Sequence, residues 1–148
     1  EIISRSARLL GVDIEPEAIK EVALASRFTP RVANRLLKRV RDFSQMSDIE
    51  TVSKDIAVMA LKMLEIDDKG LEETDRKILL AIINNFDGGP VGLKSIAASI
   101  SEEEGTIEDV YEPYLMQMGF LARTPKGRVV TSRGFEHLGL KDKKPKLL

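Results

Sequence analysis

Four cations carry the chemistry this sequence could perform, and they fall into two groups. Arg31 follows Thr29-Pro30, a capping residue and a proline suited to the first turn of a helix. At that end the free N–H groups and the helix dipole favour an anion, and a guanidinium adds planar donors for a phosphate. Arg35, Lys38 and Arg39 follow at spacings of three or four, so one helix carries a basic stripe beside its apolar one. A solvated face paired with neighbouring acids would look the same. The second group is Arg123, Lys126 and Arg128, set on two strand-like runs around the turn-rich Thr124-Pro125-Lys126-Gly127. Positive charge on a short hairpin suits nucleic-acid phosphates. An ordinary charged turn on a soluble domain is the competing reading.

Other chemistry is missing from the sequence. There is no G-x-x-x-x-G-K-[ST] loop to cradle phosphates, so no catalytic residue is assigned. The chain has no cysteine and a single histidine, His137, which gives no cluster with metal-ligand spacing. His137 reads as a packing or solvent-facing residue. The acidic run Glu102–Glu104 reads as a solvated approach to a helix, since like charges in a row repel and no partner chemistry lies nearby.

The second group is positioned by the stretch from Thr106 to Thr131. Ile107, Val110, Tyr111, Tyr114, Leu115 and Met118 recur at helical spacing, which predicts one helix with an inward face. Thr106 with Asp109 has the form of a capping box, and Gly119 supplies the stop. Phe120–Arg123 and Arg128–Thr131 then form the hairpin. Two helices come before: one capped by Thr74-Asp75 with Ile78, Leu79, Ile82, Ile83 and Phe86 inward, and one marked by Leu93, Ile96, Ala97 and Ile100. Asp87-Gly88-Gly89-Pro90 breaks the first of these, and Ser101–Gly105 is an acidic turn. Helix, helix, helix, hairpin is the order of a winged helix-turn-helix domain.

Between Glu102 and Glu112 the turn and third helix carry Glu102, Glu103, Glu104, Glu108, Asp109 and Glu112, with no lysine or arginine. A helix that reads the major groove presents donors and positive charge. This one would repel phosphates, whereas Arg123, Lys126 and Arg128 cluster on the hairpin.

Arg31 sits in a different region. Glu1–Leu10, ended by Gly11, reads as a helix with Ile3, Ala7 and Leu10 inward. A second starts at Pro16 with Ile19, Val22 and Ala23 inward, and a third runs from Thr29-Pro30 to about Phe43 over Ala33, Leu36, Leu37, Val40 and Phe43. A fourth spans about Ser53 to Leu64 with Ile56, Ala60, Met63 and Leu64 facing in. Four short helices make a small bundle. Glu65–Gly70 is a polar connector ending in glycine, which sets domains of residues 1–69 and 70–140 and a basic tail, 141–148, expected to be disordered. The fold class is mainly α, a four-helix bundle followed by a winged helix with a short β-hairpin.

With 43% hydrophobic residues the chain can bury one or two modest cores, and no run approaches the roughly 18–20 apolar residues of a membrane helix. The net charge of −1 conceals the local asymmetry of acidic helix and basic hairpin. The first residue is Glu and helical spacing starts at once, which reads as a piece beginning at or inside a helix.

GLEETDRKILLAIINNFDGGPVGL, TIEDVYEPYL, GFLARTPKGR and HLGL resemble the C-terminal domain of the RuvB family, the bacterial Holliday-junction branch-migration motors. SRFTPRVANRLLKRVRDF resembles the nucleotide-sensing helix in the AAA+ lid of the same ATPases. Glu112-Pro113 inside a helix and the hairpin sequence RTPKGR are the most specific of these matches. The resemblance covers nearly all of the chain before the tail. It implies a cytoplasmic, hexameric motor that uses ATP with Mg2+, encircles duplex DNA at a Holliday junction and works with a junction-recognising partner protein. It implies that Arg31, supported by Pro30, senses the nucleotide phosphates, whose remaining ligands belong to a preceding large domain. It also implies that Arg123, Arg128 and Lys126 contact DNA. The family usually has glycine before Thr-Pro-Arg, whereas Phe28 stands here and is expected to keep a negative φ. A replication-initiator-like ATPase also joins a lid to a winged helix, but with a basic recognition helix. A stand-alone winged-helix interaction module is the reading from another class.

Overall fold

Proline and the capping residues set the helices of the N-terminal half. A computed structural model describes residues 1–27 and 29–142. It divides into two compact units, residues 1–73 and Thr74 onward. Phe28 and the tail from residue 143, including Lys143, Lys144 and Lys146, lie outside the described residues.

In the first unit, α1 (Ile2–Leu10) ends at Gly11, whose φ of 66° is the left-handed cap a glycine adopts without strain. Pro16 opens α2 (Pro16–Ala25). Thr29 caps α3 (Pro30–Met46), its hydroxyl accepting from the Val32 N–H at 3.3 Å. Ser53 caps α4 (Lys54–Met63) in the same way. The core is built from Ile3, Ala7, Ala18, Val22, Leu36, Leu37, Val40, Ala57, Ala60 and Leu61.

Four expectations shift here. The bundle also carries a parallel two-stranded ribbon, β1 (Asp13–Ile14) against β2 (Thr51–Val52), tied by the Thr51 hydroxyl donating to Asp13 at 2.7 Å. The third helix runs past Phe43, because Ser44 can be buried with its hydroxyl bonded back to the Arg41 carbonyl. The fourth helix is rotated from its expected face: Ala57, Ala60 and Leu61 are inside, while Met63 is 71% exposed and Leu64 is also outside. Ala23 on α2 is exposed as well, and Ala18 and Ala25 are inside. Buried Ala18, Ala57 and Ala60 let helix backbones approach closely, and that close approach selects the face over side-chain hydrophobicity.

The second unit begins inside α5 (Glu73–Phe86), which starts at Glu73 and not behind a Thr74-Asp75 cap; Asp75 is fully buried in its first turn. α6 (Leu93–Ile100) follows, ending at Ser101 in the left-handed conformation. The third helix departs furthest from expectation. It begins with a short α7 (Glu104–Thr106), so Thr106 lies inside the helix and forms no capping box. A π-helical segment, Ile107–Tyr111, comes next, then α8 (Glu112–Gln117). The Glu112 N–H bonds to the Ile107 carbonyl, five residues back. Pro113 has no N–H to give the Asp109 carbonyl, and the widened turn takes up that mismatch. Gly119 ends the helix at φ 75°.

The hairpin pairs β3 (Leu121–Thr124) with β4 (Gly127–Val130), so its loop is only Pro125-Lys126, two residues shorter than the turn read from the sequence. A last helix, α9 (Ser132–His137), had no sequence signal strong enough to predict it. Thr131 caps it through the Gly134 N–H at 3.1 Å. His137 stacks on Phe120, ring centroids 4.7 Å apart. Among the described residues no helix is long and apolar enough to cross a membrane.

Candidate functional site

The hairpin is held to the body of the second unit through Arg128. Its N–H donates to the Val91 carbonyl at 2.8 Å, and its carbonyl accepts from the Val91 N–H at 3.0 Å. Two glycines make this approach achievable. A Cβ on Gly89 would lie 2.2 Å from the Arg128 carbonyl oxygen, and one on Gly127 would lie 2.5 Å from the Val91 oxygen. Both have positive φ, 93° and 131°. The Asp-Gly-Gly-Pro break is therefore also the seat of the wing.

Arg123 and Arg128 occupy directly opposed positions across the hairpin. Like charges at such a cross-strand pair repel. The Glu112 carboxylate relieves this. It accepts from Nη2 of Arg123, and from Nε of Arg128 at 3.0 Å and Nη2 of Arg128 at 3.3 Å. Glu112 is 1% exposed. Downstream of the π-helical turn it shares a face with Leu115, three residues on, while Val110, expected inside, is 54% exposed. The hydrogen bond to Glu112, and then its charge, hold the Arg123 guanidinium above its already high range.

The three wing cations are therefore not equivalent. The Arg128 side chain is 14% exposed and engaged side-on with the carboxylate. The Arg123 side chain is 48% exposed and makes its contact through one nitrogen. Lys126 is exposed at the tip of the loop. By sequence Glu112 is one of six acids on a phosphate-repelling face, and the structure corrects this: it points into the molecule and offsets part of the charge of the two wing arginines. The sequence signal for that role is an acid placed directly before a proline inside a helix, next to its apolar stripe. Glu103, Glu104, Glu108 and Asp109 remain exposed. The outward face of this helix is thus acidic, and the wing is the cationic element beside it.

In the first unit Arg31 and Pro30 are exposed in the first turn of α3. Arg35 pairs with Glu72 at 3.0 Å. Lys38 and Arg39 are exposed on the same helix. One guanidinium at a capped helix start suits a single contact with a phosphate, not a complete nucleotide pocket.

Two family models match end to end. Residues 1–67 match the RuvB AAA lid domain, and residues 68–139 match the RuvB C-terminal winged helix domain. A protein of Limosilactobacillus reuteri named Holliday junction branch migration complex subunit RuvB is 55% identical over 140 residues, 95% of this chain and 41% of that protein. Its namesake from Chloroflexus aurantiacus is 56% identical, over 95% of this chain and 40% of that protein. The solved structure of the Thermotoga maritima RuvB Holliday junction branch migration motor superposes with a TM-score of 0.91 at 50% identity, over 94% of this chain and 47% of that one. The chain thus spans about two fifths of the length of the curated relatives it matches. By its lid, its winged helix and these matches, the chain belongs to the RuvB family.

Proposed function

We propose that this chain is the C-terminal part of an ATP-dependent DNA motor that drives branch migration at Holliday junctions during recombination and repair. The observation that carries this is the unbroken run of lid and winged helix at 55% identity to a protein named as a branch-migration subunit. In this reading residues 1–69 are the lid, residues 70–140 the DNA-contacting domain, and the lysines from Lys141 onward an appended basic tail. The motor works in the cytoplasm as a hexameric ring around duplex DNA, with a separate protein recognising the junction.

ATP with Mg2+ supplies the free energy for movement, and most of its ligands lie outside this chain. Arg31 is the residue of this chain that would meet the nucleotide. A permanently charged guanidinium at the start of α3 can follow the terminal phosphate without changing protonation, and Pro30 fixes the backbone from which it projects. Loss of that phosphate releases the contact and lets the lid move. The wing meets the DNA backbone through Lys126 and the exposed side of Arg123, with Arg128 behind them. Backbone contact suits a motor that must travel over any sequence.

The isolated chain is expected neither to hydrolyse ATP nor to bind it measurably, since it has no P-loop sequence. The full reading frame should move a synthetic four-way junction in the presence of ATP and Mg2+. Action on origin-like duplexes with none on the junction would instead favour a replication-initiator-like ATPase. ATP hydrolysis by the purified 148-residue chain would sink this assignment of roles.

A further inference from the structure

We propose that Glu112 is the positioning residue of the wing, acting through Arg123 to hold one guanidinium where a DNA phosphate can reach it. The proposal rests on the reading of the wing as a backbone-contacting element, and it divides the two arginines into different roles.

Glu112 is buried at the start of α8 and touches both arginines of the hairpin. Arg128 meets it side-on through two nitrogens and is itself mostly covered. That geometry uses the planar fork of Arg128 to fix the carboxylate, so Arg128 has little left to offer a ligand. Arg123 is bound at one nitrogen only and is half exposed, and a guanidinium has five N–H donors. Most of its donors are therefore free while its orientation is set from behind. Two guanidiniums sharing one carboxylate leave the group with a net positive charge, displayed on the Arg123 side.

A free surface arginine must give up side-chain freedom when it grips a phosphate, whereas Arg123 has given up much of it already. Pre-organisation of one rotamer-rich side chain is worth about two- to tenfold in affinity. The wing is braced for this role twice over, since Val91 holds the Arg128 backbone while Glu112 holds its side chain.

The test is a double-mutant cycle on the 148-residue chain, read by fluorescence anisotropy on a labelled random-sequence duplex of roughly 20 base pairs, with salt titration. Glu112→Gln should weaken binding about two- to tenfold. In an Arg123→Ala background the same change should have no further effect, because the residue through which Glu112 acts is gone. Equal weakening in both backgrounds would mean that Glu112 only supports the fold, and would overturn the proposal. Tighter binding by Glu112→Gln would overturn it as well, by showing that the carboxylate competes with phosphate for the arginines. Should Glu112→Gln fail to fold, Arg123→Lys decides. It leaves Glu112 paired with Arg128 and keeps the charge, so the salt slope should stay and affinity should fall severalfold; unchanged affinity would exclude pre-organisation. If Arg123→Ala and Lys126→Ala both leave affinity and slope unchanged, the wing is not the DNA contact, and both readings fall together.

Discussion

The Arg128 guanidinium meets the Glu112 carboxylate side-on, with Nε 3.0 Å from Oε2, across 16 residues of chain. It joins the third helix of the winged domain to the second strand of its hairpin. Both partners are largely out of water. An ion pair in that setting gives little net stability compared with well-packed apolar residues, but removal of one partner leaves a charge that nothing offsets.

Glu112→Ala should therefore destabilise the winged domain by about 3–5 kcal/mol, seen as a lower midpoint in urea for that unit. Lys126→Ala, at the exposed loop tip, should stay within about 0.5 kcal/mol. A Glu112→Ala cost below about 1 kcal/mol would place the pair with ordinary surface ion pairs.

Glycine substitutions separate close approach from mere flexibility. Gly89→Ala and Gly127→Ala each drive a Cβ into backbone across the wing seat and impose a positive φ on alanine. Each should cost more than about 1 kcal/mol. Gly105→Ala meets nothing within 4 Å and lies in helical backbone, so it should be neutral or stabilise by about 0.5–1 kcal/mol. Thermal melts of the three variants rank them directly, and a harmless Gly127→Ala would show that the Val91–Arg128 pairing does not anchor the hairpin.

The distribution of charge predicts which changes alter DNA binding. Lys126→Ala should lower the salt slope by roughly one and weaken binding about equally on every sequence. Glu108→Lys and Asp109→Lys lie on the exposed acidic face and should strengthen binding or leave it alone. Anisotropy titrations on several unrelated duplexes measure both. Loss of binding on replacing Glu108 by Lys would place DNA on the helix and not on the wing.

Nucleotide sensing is tested in the full-length protein. Arg31→Ala should cut ATP turnover severely while duplex affinity stays nearly unchanged, because Arg31 and the wing lie in different units. Steady-state hydrolysis with and without junction DNA is the measurement. A normal rate would remove Arg31 from the nucleotide contact.

Caps, stops and breaks are legible in the residues themselves, because they depend on one or two side chains and the local backbone. Thr29-Pro30, Ser53, Gly11 and Gly119 act in the structure as their chemistry predicts. The inward faces of the first and third helices follow from spacing for the same reason, since a long apolar stripe such as Ala33, Leu36, Leu37 and Val40 admits one solution. Specific segments such as RTPKGR carry the family resemblance. What spacing does not resolve is any choice between two faces of similar hydrophobicity. On the fourth helix small Ala57 and Ala60 go inside and Met63 out, a choice made by how closely a neighbouring helix can approach. In the third helix of the winged domain Pro113 displaces the hydrogen-bond register by one residue, and that single insertion turns Glu112 inward. The sequence by itself determined that a basic hairpin follows an acidic helix. Tertiary structure decided that one of those acids belongs to the hairpin, because the Glu112 carboxylate is buried and the guanidiniums that pair with it come from strands 11 and 16 residues away in the chain.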